Sequence, residues 1–147
     1  MLQPLSVLSQ GQILDTMIGL TRLSYLQRAI IAGDDGMELY LELKRRGFIR
    51  VAPVSKWRIP RRQHAIGLIA GRDPAESIEG NLTEISPFLC ASATVAIILI
   101  DSKGSNSVRI RTKLQDMGFR IEAGVRCQQG LVLSAHRQGF IEMKKAA

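Results

Sequence analysis

The feature that most restricts how this chain can fold is a pattern that occurs three times. An apolar, β-branched run is followed by a turn of small polar residues, then by a stretch with helical spacing. The first instance is Ala29-Ile30-Ile31-Ala32, the turn Gly33-Asp34-Asp35-Gly36, and Met37 to Arg46 with Leu39 and Leu43 one helical turn apart. The second runs from Ala65-Ile66-Gly67-Leu68-Ile69-Ala70 through Gly71-Arg72-Asp73-Pro74 to Ile78, Leu82, Ile85 and Leu89, with Asp73 as N-cap and Pro74 at the first helical position. The third is Val95 to Ile100, then Asp101 to Ser105, then a helix carrying Val108, Ile110 and Leu114. Gly47-Phe48 and Gly118-Phe119 end the first and third helices.

Strands this uniformly apolar are covered on both faces, which predicts a mostly parallel sheet between helical layers, an α/β architecture. A further strand is expected over Phe48 to Val54. The tail, Arg120 to Arg126 and Gly130 to His136, reads as an antiparallel hairpin. Upstream, Val7 to Gln27 carries a stripe of Ile13, Leu14, Met17, Ile18, Leu20, Leu23 and Leu26, a helix suited to capping the sheet edge or meeting a second copy. The expected organisation is an N-terminal helix over 1–27, one α/β domain over 28–140 and a tail over 141–147.

Hydrophobic residues at 46% and charged residues at 22% are ordinary globular usage, excluding a disordered chain or a collagen-like repeat. Cys90 and Cys127 lie far apart without CxxC spacing, which argues for free thiols rather than a zinc site. The absence of a long apolar run and of a charged leader predicts a cytoplasmic protein with no membrane association. The net charge is +7, and Lys44 to Arg72 holds nine basic residues and no acid, so the excess belongs to one segment.

In an open parallel sheet ligands bind beyond the carboxyl ends of the strands. Gly33 and Gly36 permit close approach there, and Asp34 or Asp35 is placed to accept hydrogen bonds from ribose hydroxyls or to cap the helix. Two aspartates disfavour a phosphate cradle, and neither the P-loop nor the GxGxxG spacing is present. Asp101 closes the third strand, placed to orient a ligand or to cap the following turn. His64 and His136 have no partners at a triad spacing. Arg109, Arg111 and Lys113 read as a solvated helix face.

On the run Arg28 to Gly47, the strand-helix-strand steps from Ala65 to Asp101, and the closing pair Gly118 to Glu122 and Gly130 to Arg137, the chain resembles the class I S-adenosylmethionine-dependent methyltransferases over most of 25–138. That resemblance implies a three-layer Rossmann-like open sheet, mostly parallel, with a C-terminal antiparallel hairpin and an N-terminal helix. It implies S-adenosylmethionine as the cofactor, held by Gly33, Asp34, Asp35, Gly36 and Asp101. The family motif is acid-x-Gly-x-Gly-x-Gly. Aligned on Gly33, Ile31 stands in the acid's place, Asp35 and Met37 replace two glycines, and Val51 to Ser55 ends without the acid that holds the ribose. One strand-helix unit of the family is missing between Val54 and His64. These departures favour a motif-degenerate, methyltransferase-like binding or homo-oligomerisation module without turnover, with an active small methyltransferase as the alternative.

Where that unit is missing lies the basic loop Ser55 to His64, with the chain's single tryptophan. Cations flanking an aromatic ring suit an anionic partner, and Arg50, Lys56, Trp57, Arg58, Arg61 and Arg62 form the nucleic-acid-binding alternative. The competing reading is a solvated loop whose Trp57 plugs the core.

Overall fold

The computed structural model describes residues 3–55, 58–70, 75–99, 104–127 and 130–138, the side chains of 3–10 and 104–105 excepted. The elements run α1 (Gln3–Thr21), β1 (Ala29–Ala32), α2 (Gly36–Arg45), β2 (Val51–Pro53), β3 (His64–Ile69), α3 (Ala75–Ile85), β4 (Leu89–Leu99), α4 (Gly104–Asp116), β5 (Phe119–Cys127) and β6 (Gly130–Arg137). Six strands form one sheet in the order β2-β1-β3-β4-β6-β5. The first four are parallel, and β6 runs antiparallel to both β4 and β5. This is the three-layer Rossmann-like α/β fold with a C-terminal hairpin.

The period of two along each strand divides the apolar residues between two layers. Ile30, Ala32, Ile69, Val95 and Ile97 pack with Ile78, Leu82 and Ile85 of α3 and with Ile110 and Leu114 of α4. Ile31, Ile66, Leu68, Ala96 and Ile98 pack on the opposite face with Leu39 and Leu43 of α2 and with Ile13, Leu14 and Met17 of α1. Of the stripe read as an edge cap or a contact with a second copy, Ile13, Leu14, Met17 and Leu23 are covered by the chain's own sheet, on its face, while Leu26 is 74% exposed. Leu14 and Met17 are fully buried there. Asp15 adds an ion pair to Arg46, which also pairs with Glu42 of α2, so part of the basic run is neutralised inside the fold.

Helix α2 ends as its sequence demands. Gly47 adopts φ +100°, the Phe48 N–H donates to the Leu43 carbonyl at 3.0 Å, and the Gly47 N–H donates to Lys44 at 3.1 Å. This is the Schellman pattern, in which a left-handed glycine turns the chain and the next apolar residue folds back. Phe48 is accordingly buried, as is Phe119 after Gly118.

Several boundaries differ from the sequence reading, and the strand expected over Phe48 to Val54 is confined to Val51–Pro53. α1 stops at Thr21 rather than continuing to Gln27. α3 stops at Ile85, because Pro87 has no N–H to continue the ladder; Ser86–Phe88 forms a 3-10 turn and Leu89 opens β4. β4 is longer than Val95 to Ile100 suggested: it begins at Leu89, which pairs with His64, and its register with β3 shifts before Thr94 pairs with Ile66. The expected cap at Asp73 and Pro74 lies outside the described residues.

Candidate functional site

A cavity of about 640 Å³ opens at the carboxyl ends of β1 and β2. Its floor is the turn from Gly33 to Gly36 with Met37; one wall is Pro53, Val54 and Ser55 beyond β2. The opposite wall is the polar face of α3, Ser77, Gly80, Asn81 and Glu84. The space exists because β2 is an edge strand of three residues, and among the described residues no further strand or helix stands between it and β3.

The turn is fixed by Gly33. Its φ is +104°, and a Cβ there would lie 2.0 Å from the Ala70 carbonyl oxygen at the end of β3. The Asp35 N–H donates to that same oxygen at 3.1 Å, and the Gly36 N–H donates to Gly33 at 3.0 Å. Amides that an anion would need are thereby spent within the turn, in keeping with the aspartates' exclusion of a phosphate cradle.

The two aspartates separate. Asp34 is exposed and lines the cavity, whereas Asp35 takes the N-cap position of α2 without a side-chain cap hydrogen bond and does not line it. Gly33 and Gly36 line it as well; Asp101 lies outside the described residues. Asp34 and Glu84 are the charged groups of the lining, and among the described residues no lysine or arginine joins them. The site therefore suits a neutral or cationic ligand rich in hydroxyl and amino groups. Ser77, Asn81 and Glu84 escaped the sequence reading. Their i, i+4, i+7 spacing, offset from the buried Ile78, Leu82 and Ile85, is the signal that marks them as one face.

Of the nucleic-acid candidates, Arg50 and Arg58 line a second cavity at the other end of the sheet. Arg61 and Arg62 are exposed on the adjoining turn, and Lys56 and Trp57 lie outside the described residues. His64 is buried beside Phe88, and the His136 ring meets Thr94 Oγ1 across the sheet at 3.0 Å, so both histidines have structural partners. Arg109 departs from a purely solvated face: it donates to Glu79 of α3 at 2.8 Å. Cys90 and Cys127 are free, and among the described residues no three His, Cys, Asp or Glu side chains gather as a metal site. No helix among them is long and apolar enough to cross a membrane.

No family model and no curated protein sequence matches the chain. Solved structures do match. The 1,6-didemethyltoxoflavin-N1-methyltransferase of Burkholderia thailandensis, solved with 1,6-didemethyltoxoflavin and S-adenosylhomocysteine, is 14% identical over 88% of this chain and 78% of its own, with a TM-score of 0.61. A methyltransferase from Pyrococcus furiosus is 14% identical over 89% of this chain and 82% of its own, TM-score 0.61. The [4+2]-cyclase SpnF is 11% identical over 87% and 80%, TM-score 0.64. The chain thus has the Rossmann-like fold of the class I S-adenosylmethionine-dependent methyltransferases. A cyclase among these structures is a reminder that the fold does not fix the reaction.

Proposed function

We propose that this protein is a methyltransferase-like binding module that takes an S-adenosylmethionine-type ligand at the carboxyl ends of β1 and β2, without methyl transfer of its own. The observation that carries the reading is the composition of the cavity: two carboxylates, Asp34 and Glu84, an amide and two hydroxyls, beside a glycine turn that lets a ligand approach the backbone. S-adenosylmethionine presents a sulfonium cation, a protonated amine and a ribose diol, all of which such groups accommodate. Bound, it supplies an activated methyl group. On this reading Gly33 and Asp34 hold it from the turn, and Ser55, Asn81 and Glu84 from the flanks.

Binding without turnover follows from the two positions where the resembling family has acids. Ile31 is 1% exposed and committed to the core, and β2 runs out through Pro53 and Val54. The ligand is left with fewer charged contacts than a catalytic site uses to orient it.

Calorimetric titration with S-adenosylmethionine and S-adenosylhomocysteine tests the assignment, both being expected to bind. Absence of heat at millimolar ligand overturns it. Transfer of labelled methyl into components of a cell extract, above an extract-only control, overturns the part concerning turnover.

A further inference from the structure

The parallel strands bring their amino ends together at the side of the sheet opposite the cleft described above. Arg28 precedes β1, Arg50 precedes β2, His64 opens β3, and the returning loop adds Arg58. These four, with Ile49 and Pro60, line a cavity of about 310 Å³ to which no described carboxylate contributes. Arg28 donates to the Gln63 amide oxygen at 2.7 Å, a neutral partner that leaves its charge uncompensated. The charge of Arg28 is also felt by His64, whose basicity it lowers alongside the effect of burial.

The structure also divides the basic run between two places. Arg45 and Arg46 are turned to Glu42 and Asp15, whereas Arg50 and Arg58 join Arg28 in lining this cavity, with exposed Arg61 and Arg62 on the adjoining turn. Three residues before Arg28 the chain carries an aromatic ring. Tyr25 stacks on Phe48 with ring centroids 4.4 Å apart and remains 58% exposed, and Ile49, next in the chain, is 66% exposed and reaches the cavity.

We propose that this end of the sheet binds single-stranded nucleic acid, a backbone phosphate seated among Arg28, Arg50 and Arg58 and an adjacent base laid on Tyr25. Guanidinium groups arriving from three separate segments suit the several oxygens of a phosphate. A small phosphorylated ligand would make no use of the flanking Arg61 and Arg62 or of an open aromatic ring. A repeating polyanion with flat bases uses both.

The test is fluorescence anisotropy of the full chain with a labelled oligouridylate, with a duplex of equal length and phosphatidylserine vesicles as rivals. Three phosphate contacts to a single strand imply binding roughly twentyfold weaker at about 200 mM than at about 50 mM salt. Tyr25→Ala should weaken it about fivefold or more. Arg50→Glu with Arg58→Glu should abolish it, while the same charge change at exposed Arg120 and Arg126 of β5 should cost far less, a thermal melt of each double variant showing that it is folded. The proposal is overturned if no binding appears at low salt, if the two double variants lose binding equally, or if duplex or vesicles are preferred to the single strand. None of these outcomes depends on the opposite cleft binding its ligand.

Discussion

Gly33 and Ala70 meet backbone to backbone: a Cβ added to Gly33 would fall 2.0 Å from the Ala70 carbonyl oxygen. That oxygen also accepts from Asp35, so neither partner is able to withdraw without losing the hydrogen bond that shapes the turn. Gly33→Ala should combine a left-handed strain with a backbone clash and cost about 3 kcal/mol or more in a urea unfolding experiment. A variant as stable as the parent would show that the turn closes differently.

Charge reversal in the cleft separates ligand binding from folding. Asp34 and Glu84 are both exposed, so Asp34→Lys with Glu84→Lys should alter stability by no more than about 0.5 kcal/mol per site. If the carboxylates receive the ligand, each lost charged hydrogen bond weakens S-adenosylhomocysteine about tenfold or more. Undiminished affinity in the double variant would remove these residues from the site.

His64 makes stability respond to acid. Burial foremost, and then the charge of Arg28, hold its pKa below 6.5, while its Nδ1–H donation to the Phe88 carbonyl acts in the opposite sense. As pH falls through 6.5 the unfolded imidazole takes up a proton that the native one resists. The contribution is therefore complete above that value and is lost progressively below it, toward the lower native pKa. Urea midpoints measured from about pH 7.5 to about pH 5.5 should fall, and less steeply in His64→Gln; a midpoint rising on acidification would contradict the assignment.

Helix α1 provides a paired test. Leu14→Ala removes a fully buried side chain from the sheet face and should cost about 2–5 kcal/mol. Gly19→Ala, where an added Cβ meets nothing within 4 Å and the backbone is helical, should stabilise by about 0.5–1 kcal/mol. Thermal melts at several protein concentrations check both, and a Leu14→Ala variant of parental stability would mean the helix is not anchored through this residue.

Gly67 sits among three core side chains. A Cβ there would lie 2.9 Å from Ile85 Cδ1, 3.1 Å from Val95 Cγ1 and 3.2 Å from Leu89 Cδ2. Gly67→Ala should overpack this layer and destabilise by about 1–3 kcal/mol, whereas a neutral result in a denaturant titration would reveal slack among those three side chains.

Much of this architecture was legible because its signals are local. Ile30 and Ile31, Leu68 and Ile69, and Ile97 and Ile98 announce strands buried on both faces, and the two Gly-Phe pairs mark where helices stop. Leu89 reads as helical because i, i+4 spacing extends across Pro87 by chance, and only the proline's missing N–H reveals the break. The cleft was read in part. Its glycine turn follows from strand-end geometry, but the division between Asp34 and Asp35 depends on a twist at Gly33 set by Ala70, thirty-seven residues away. Asn81 and Glu84 were missed for a related reason: a polar helix face reads as solvated until the sheet order carries it over β1.

The brevity of β2 governs how the molecule meets its own kind. Val54 directs its N–H inward to Ile31, so by the alternation of a strand Pro53 turns its nitrogen outward, where an incoming strand would look for a donor. A longer edge strand here would leave a row of open backbone groups inviting fibrous stacking. Instead the exposed margin is three residues long and carries an imino acid that offers no hydrogen.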